Sequence, residues 1–197
     1  MAPSRLLIAT NNDHKVTEFR RLLADIPYEL VTPSEIGLSL NVAETGITFE
    51  ENATLKARAF AKASHLPSLA DDSGIEVEAL GGRPGVQSAR YGGSGLSDDD
   101  RLKLLLRETA EVPERARACR YQVVLVLAKP DGTTQMSQGT CEGRLTTAPV
   151  GTNGFGYDPI VYIPMFQRTI AELDPDEKDS ISHRGQAARA MAVLLWG

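Results

Sequence analysis

The run RLLIAT, residues 5–10, constrains the fold most: four apolar residues in succession leave no polar face, so it reads as a first, buried strand. A polar cluster follows, in which Asn11 or Asn12 caps a helix to about Leu23, with Val16, Phe19, Leu22 and Leu23 on one face. YELVT is then a second strand. Thr48 to Glu51 fits a capping box, with Thr48 as N-cap and Glu51 reaching back, and opens a helix to about Ser64 that carries Asn52, Lys56 and Arg58. SLA reads as a strand ending at Asp71 and Asp72, and IEVEAL as a separate one. The glycine-dense stretch 81–95 is loop. Ser97 caps an amphipathic helix over DDDRLKLLLRETA, whose three leading aspartates oppose the helix dipole. CRYQVVLVLA and TTQMSQGTCEG flank an Asp-Gly turn as a long hairpin. The acidic ELDPDEKDS precedes a last helix capped by Ser182. Helices and strands alternating around an inserted hairpin predict one α/β domain over residues 1–197, with a mixed sheet.

Composition narrows the partners. A formal net charge of −5 argues against a nucleic-acid polymer, which calls for a basic face, but leaves room for a single nucleotide. No apolar run before Asn11 is long enough for a leader, and none anywhere approaches a membrane span. Cys119 and Cys141 have no CxxC partner, so they read as buried thiols of a cytoplasmic protein rather than a disulfide or zinc site.

Several stretches carry chemistry. ATNNDHK delivers Thr10, Asn12 and Lys15 to a helix N-terminus, where free N–H groups attract an anion. No Walker A or GxGxxG pattern is present. Neighbouring carboxylates repel unless a cation, hydrogen bond or proton compensates, so Asp71 and Asp72 must hold something. Because a strand alternates its faces, one of them aims at a site unless a turn at Ser73-Gly74 brings both round; Asp72 is favoured, with Asp71 as support. Glu44 and Asp72 with phosphate oxygens would make a magnesium site, and Ser73 and Gly74 allow a close backbone approach to a ligand. Phe155 and Tyr157, in the glycine-rich GTNGFGYDP, read as exposed rings on which a flat ligand stacks, beside Gly156 and Asp158. Lys178, His183 and Arg184 form a donor-rich edge suited to carbonyl or phosphate oxygens.

In order and spacing, ATNNDHK, ETGITFEENATLKARA, LADDSG, GFGYDP and SHRGQAA resemble the inosine triphosphate pyrophosphatase family, its bacterial branch above all, over essentially the whole chain. The resemblance implies an elongated mixed central sheet flanked by helices, with two lobes around a nucleotide cleft. It also implies a homodimer, Mg2+ dependence, and hydrolysis of ITP, dITP and XTP to the monophosphate and pyrophosphate. By the same resemblance Thr10, Asn12, Lys15 and Lys56 bind polyphosphate, and Asp72 is general base and metal ligand. Glu44 is a second metal ligand; Ala43 stands beside it where relatives can have another glutamate. Phe155, Tyr157 and Asp158 match the base-binding loop, and Lys178, His183 and Arg184 the base-recognising end. Gln186 replaces the lysine of many relatives. Donors from His183 and Arg184 suit a 6-keto purine and are left unpaired by adenine, an argument that does not extend to guanine. A Maf-like pyrophosphatase, which should lack the GFGYDP and SHRG pair, and a nucleotide-binding module without turnover are the alternatives.

Overall fold

The computed structural model of the protein describes residues 4–196, so Met1, Ala2 and Pro3, part of the stretch read above for a leader, lie outside the described residues. Seven strands form one sheet: β1 (Ser4–Ile8), β2 (Tyr28–Val31), β3 (Ser68–Val77), β4 (Ala118–Ala128), β5 (Thr134–Leu145), β6 (Val161–Ile163) and β7 (Arg168–Thr169). Their order is β2-β1-β3-β4-β5-β6-β7. β1 runs parallel to both β2 and β3, whereas β6 is antiparallel to β5 and β7, so the sheet is mixed as expected. The helices are α1 (Asp13–Leu22), α2 (Phe49–Ser64), α3 (Asp98–Glu108), α4 (Pro175–Ile181) and α5 (His183–Trp196).

The chain divides into two compact units, the first of Met1–Asp72, Val123–Gly139 and Arg184–Gly197, the second of Ser73–Gln122 and Thr140–His183. In the first, β1 is buried on both faces, and strand alternation decides which side chain meets which helix. Leu6, Ile8 and Leu69 pack with Phe19 and Leu23, near the end of α1, and with Ala187 and Met191 of α5. Leu7, Ala9 and Ala70 turn the other way, onto Ala53, Ala57 and Phe60 of α2. The second unit is built around Ile75 and Val77 of β3, Leu102 and Leu105 of α3, Tyr121 of β4, and Ile160 and Val161.

Local chemistry explains the helix starts. Asn12 caps α1, its side chain accepting from the Lys15 amide. Ser97 caps α3 in a capping box closed by Asp100, while Asp99 pairs with Lys103 one turn on. Thr48 caps α2, but the Glu51 carboxylate accepts from the Ile47 amide at 2.6 Å rather than from Thr48, so the expected box closes one residue early.

Three further expectations change. SLA and the first half of IEVEAL are one strand: β3 runs through Asp71, Asp72, Ser73 and Gly74 without a turn and ends at Val77, after which Glu78–Leu80 is a 3-10 turn rather than strand. Gly74 is there for close approach, since a Cβ on it would lie 2.3 Å from the Gly85 carbonyl and 2.5 Å from the Ser88 hydroxyl. The acidic stretch before the last helix is itself helix α4, started by Asp174 and Glu177 in a capping box with Pro175 in the first turn. The hairpin turn closes through the Lys129 amide on the Thr133 carbonyl at 2.9 Å, a wider loop than a two-residue Asp-Gly turn. Cys119 and Cys141 are free and buried, and burial pushes their thiols up to about 12 and about 11.

Arg117 staples the second unit. It is 3% exposed, and its guanidinium donates to the carbonyls of Thr109, Val112, Leu145 and Thr146. Arg117→Met keeps the aliphatic stem but takes that donor from four carbonyls. The unfolding free energy measured in urea is expected to fall by about 3 kcal/mol, and a loss under ~1 kcal/mol would show the staple to be dispensable.

Candidate active site

In the first unit, strand alternation separates the two aspartates. Asp71 follows Leu69 onto the side of α1 and α5, and Asp72 follows Ala70 onto the side of α2. The Asp71 carboxylate is buried between two cations: Lys15 Nζ lies 3.0 Å from Oδ1, and Arg184 Nη2 lies 3.1 Å from Oδ2. Arg184 is itself buried, with Nη1 donating to Glu18 at 2.6 Å and its guanidinium 5.8 Å from the centre of the Phe19 ring. Burial alone would raise the Asp71 carboxyl, but Lys15, Arg184 and Lys56 outweigh it and hold the group well below the usual carboxylate range. The same burial lowers the Lys15 ammonium despite Asp71 beside it.

On the other face, Asn52 is fully buried and links two pieces: its amide nitrogen donates to Asp72 Oδ2 at 3.0 Å, and its oxygen accepts from the Gly46 amide at 2.8 Å. That second bond anchors the loop carrying Glu44. Lys56, one turn along α2, sits between the two carboxylates, 2.6 Å from Glu44 Oε1 and 3.6 Å from Asp72 Oδ1. Burial and the Glu44 charge push the Asp72 carboxyl up against the opposing pull of Lys56 and Asn52. Burial opposes the charge on Lys56, yet the surrounding carboxylates win and raise its ammonium.

Thr10 and Asn12 serve the turn into α1, Thr10 accepting from the Asn12 amide and Asn12 from the Lys15 amide, each at 3.2 Å. Both bonds shape the entry to α1, whose first turn carries Lys15.

A bound magnesium ion fits this donor set. Glu44 and Asp72 already converge on one cation, the Lys56 ammonium, and both offer hard oxygens. Among the described residues no group of three or more His, Cys, Asp or Glu is placed to hold a metal. Two carboxylates completed by phosphate and water oxygens is the arrangement magnesium favours. Asp71 is not part of that pair, since both its oxygens face Lys15 and Arg184.

In the second unit, the glycine-rich loop is organised by Asp158. This buried carboxylate accepts from Lys178 Nζ at 2.7 Å and from the Phe155 amide at 3.0 Å. Gly154, at φ +74, leaves it room: a Cβ there would lie 2.1 Å from Asp158 Oδ2. The Lys178 ammonium stands 5.1 Å from the centre of the Phe155 ring. Phe155 and Gly156 are half-buried, but Tyr157 is not the exposed ring expected. It is 6% exposed in the core, its hydroxyl donating to the Ser88 carbonyl at 2.9 Å, because Gly154 and Gly156 fold the loop back on itself. His183 is buried and stacks on Tyr121, centroids 4.7 Å apart and planes inclined by 11°. Ser73 is half-buried on β3, directly after Asp72.

Three of these residues escaped assignment from sequence. Glu18 lies three positions from Lys15 and Asn52 four from Lys56, spacings that share a helix face and were open to reading. Tyr121 gave no signal, since a tyrosine in a strand is ordinary core.

An α/β fold thus holds adjacent carboxylates against lysines from two helices, with Glu44 and Asp72 converging on Lys56. The Ham1 family model matches residues 6–194. The dITP/XTP pyrophosphatase of Symbiobacterium thermophilum is 50% identical over 198 residues, covering 98% of this chain and 96% of that protein. That of Halalkalibacterium halodurans is 43% identical, covering 96% and 97%. A Ham1 protein structure from Coxiella burnetii superposes with a TM-score of 0.88 at 40% identity, covering 98% of both chains. This chain belongs to the Ham1 family.

The Asp71 cluster makes stability depend on pH. A carboxyl whose folded pKa lies below its unfolded value, about 4, adds stability that is complete above that value and lost as pH falls through the folded one. Asp71→Asn leaves Lys15 and Arg184 facing each other and is expected to cost about 3 kcal/mol at pH 7. In thermal unfolding the gap to wild type should shrink below about pH 4; a gap constant from pH 7 to pH 3 would refute the ionised pairing.

Proposed function

We propose that this chain hydrolyses deaminated purine nucleoside triphosphates, dITP, ITP and XTP, to the monophosphate and pyrophosphate, with residues 1–197 acting as one catalytic domain. The observation that carries the reading is the Lys56 ammonium bridging Glu44 and Asp72, in a chain whose relatives over nearly full length are named dITP/XTP pyrophosphatases. Magnesium, held by Asp72 and Glu44, would supply charge neutralisation on the phosphates. Lys15, Lys56 and the first turn of α1 with Thr10 and Asn12 bind the polyphosphate.

Asp72, oriented by Asn52, takes a proton from the attacking water. The water oxygen bonds to the α-phosphorus. The bond from that phosphorus to the β-bridging oxygen breaks, and its electron pair leaves with pyrophosphate. Lys15 and Lys56 meet the charge that develops.

Ser73, Phe155, Gly156, Tyr157, Asp158, Lys178, His183 and Arg184 bind and recognise the nucleoside. Of these, Tyr157 and Asp158 shape the loop from within, since both are buried with protein partners. Arg184 bonds Glu18 and Asp71, so its contribution to the 6-keto contact rests on the family resemblance.

The enzyme is expected to act in the cytoplasm as a homodimer. No helix among the described residues is long and apolar enough to cross a membrane.

Pyrophosphate release from dITP, XTP, dGTP, dATP and dTTP, with and without Mg2+, tests the function. Release is expected from dITP and XTP and to vanish with chelator. Asp72→Asn should fold and lose at least about a thousandfold in kcat, the scale of a lost general base with its metal contact. Release mainly from pyrimidine triphosphates, or near-normal Asp72→Asn turnover, would overturn the reading.

A further inference from the structure

We infer that Tyr121 is a positioning residue for base recognition: its ring, stacked on the imidazole of His183, fixes the plane in which the His183 nitrogens present themselves. This rests on the role of His183 proposed above.

Three observations within the second unit carry the inference. The rings are 4.7 Å apart and nearly parallel, within the range of a favourable offset stack. Tyr121 is 7% exposed and lies within β4, whose backbone is held in the sheet, so it cannot follow a histidine that rotates. And His183 is the first residue of α5, following directly on Ser182, which ends α4. The ring torsion of a histidine is intrinsically broad, so a stacked plane narrows it whatever else the side chain touches. A flat partner removes that freedom before substrate arrives, which is the condition for hydrogen-bond polarity to discriminate between bases.

The other side of Tyr121 is also fixed. Burial first, then the Asp158 carboxylate, push its phenol well above the usual value, so it stays a neutral ring. Asp158 in turn holds Lys178 and the Phe155 amide. Tyr121 thereby stands between the histidine at the start of α5 and the carboxylate that organises the glycine-rich loop, two features that lie 25 positions apart in sequence.

Two variants separate the ring from the hydroxyl. Tyr121→Phe keeps the stack, and its ratio of kcat/KM for dITP over dATP should stay within about twofold of wild type. Tyr121→Leu removes the stack, and the same ratio should fall by about tenfold, the upper end of what an aromatic pair contributes. That fall should come through KM for dITP with kcat largely kept, because the phosphate-handling residues are untouched.

A second readout needs no turnover. The His183 ring protons, shielded by the stacked phenol in the free enzyme, should keep their shifts in Tyr121→Phe and move downfield in Tyr121→Leu. His183→Ala is run alongside. If it leaves the ratio intact, the assignment of His183 to the base fails. If it lowers the ratio and Tyr121→Leu does not, the positioning role of Tyr121 fails. An equal loss in Tyr121→Phe and Tyr121→Leu would overturn the stack in favour of the hydroxyl.

Discussion

A carboxylate taken out of water costs several kcal/mol unless fixed partners replace its hydration, and Asp71 meets that demand with Lys15 from α1 and Arg184 from α5. The pairing therefore joins three stretches of chain distant in sequence, and through Glu18 it returns to α1. Hydrophobic contact places α1 and α5 on one face of the sheet but tolerates sliding. A guanidinium fixed by two carboxylates does not, because hydrogen-bond geometry fails within a fraction of an ångström. The cluster sets where Lys15 stands, and with it the first turn of α1.

Asp72 is the same residue type one position on, in a different setting. Its firm partner is the neutral Asn52 amide, and its cation, Lys56, is shared with Glu44 and lies closer to Glu44. One aspartate is held far below its ordinary pKa and the other is raised. Environments that push two like groups apart assign them different work. Asp71, saturated by cations, fixes structure. Asp72, incompletely compensated, keeps capacity for a proton or a metal. Strand alternation makes this division possible, because a turn at Ser73-Gly74 would have crowded both carboxylates onto one face.

Much of this was legible in the sequence. The buried first strand, the capped helices α1, α2 and α3, and the mixed sheet follow from apolar runs and cap residues. Strand alternation by itself puts Asp71 and Asp72 on opposite faces. What stayed hidden was long-range. Gly74 looks like a turn former, and only the approach of Gly85 and Ser88 shows it to be a packing glycine inside a strand. Tyr157 looks like an exposed ring because glycines flank it, and only the loop's reversal reveals its burial. Helix α4 starts at Asp174, Pro175 and Glu177 within a dense acidic run, and acidic density by itself does not distinguish a helix start from a solvated loop.

Base selectivity depends on which groups are fixed before substrate binds. An aromatic face accepts any base, so a stacking ring gives affinity without choice. Choice needs donors whose alternative to the right partner is to go unpaired, and that penalty exists only where water is absent and the donor cannot turn away. His183 is 5% exposed, and the Tyr121 ring lies flat against it. Lys178 is buried too, and its ammonium is held by the Asp158 carboxylate. A donor that cannot turn away makes a mismatch costly, whereas one free to rotate escapes the penalty.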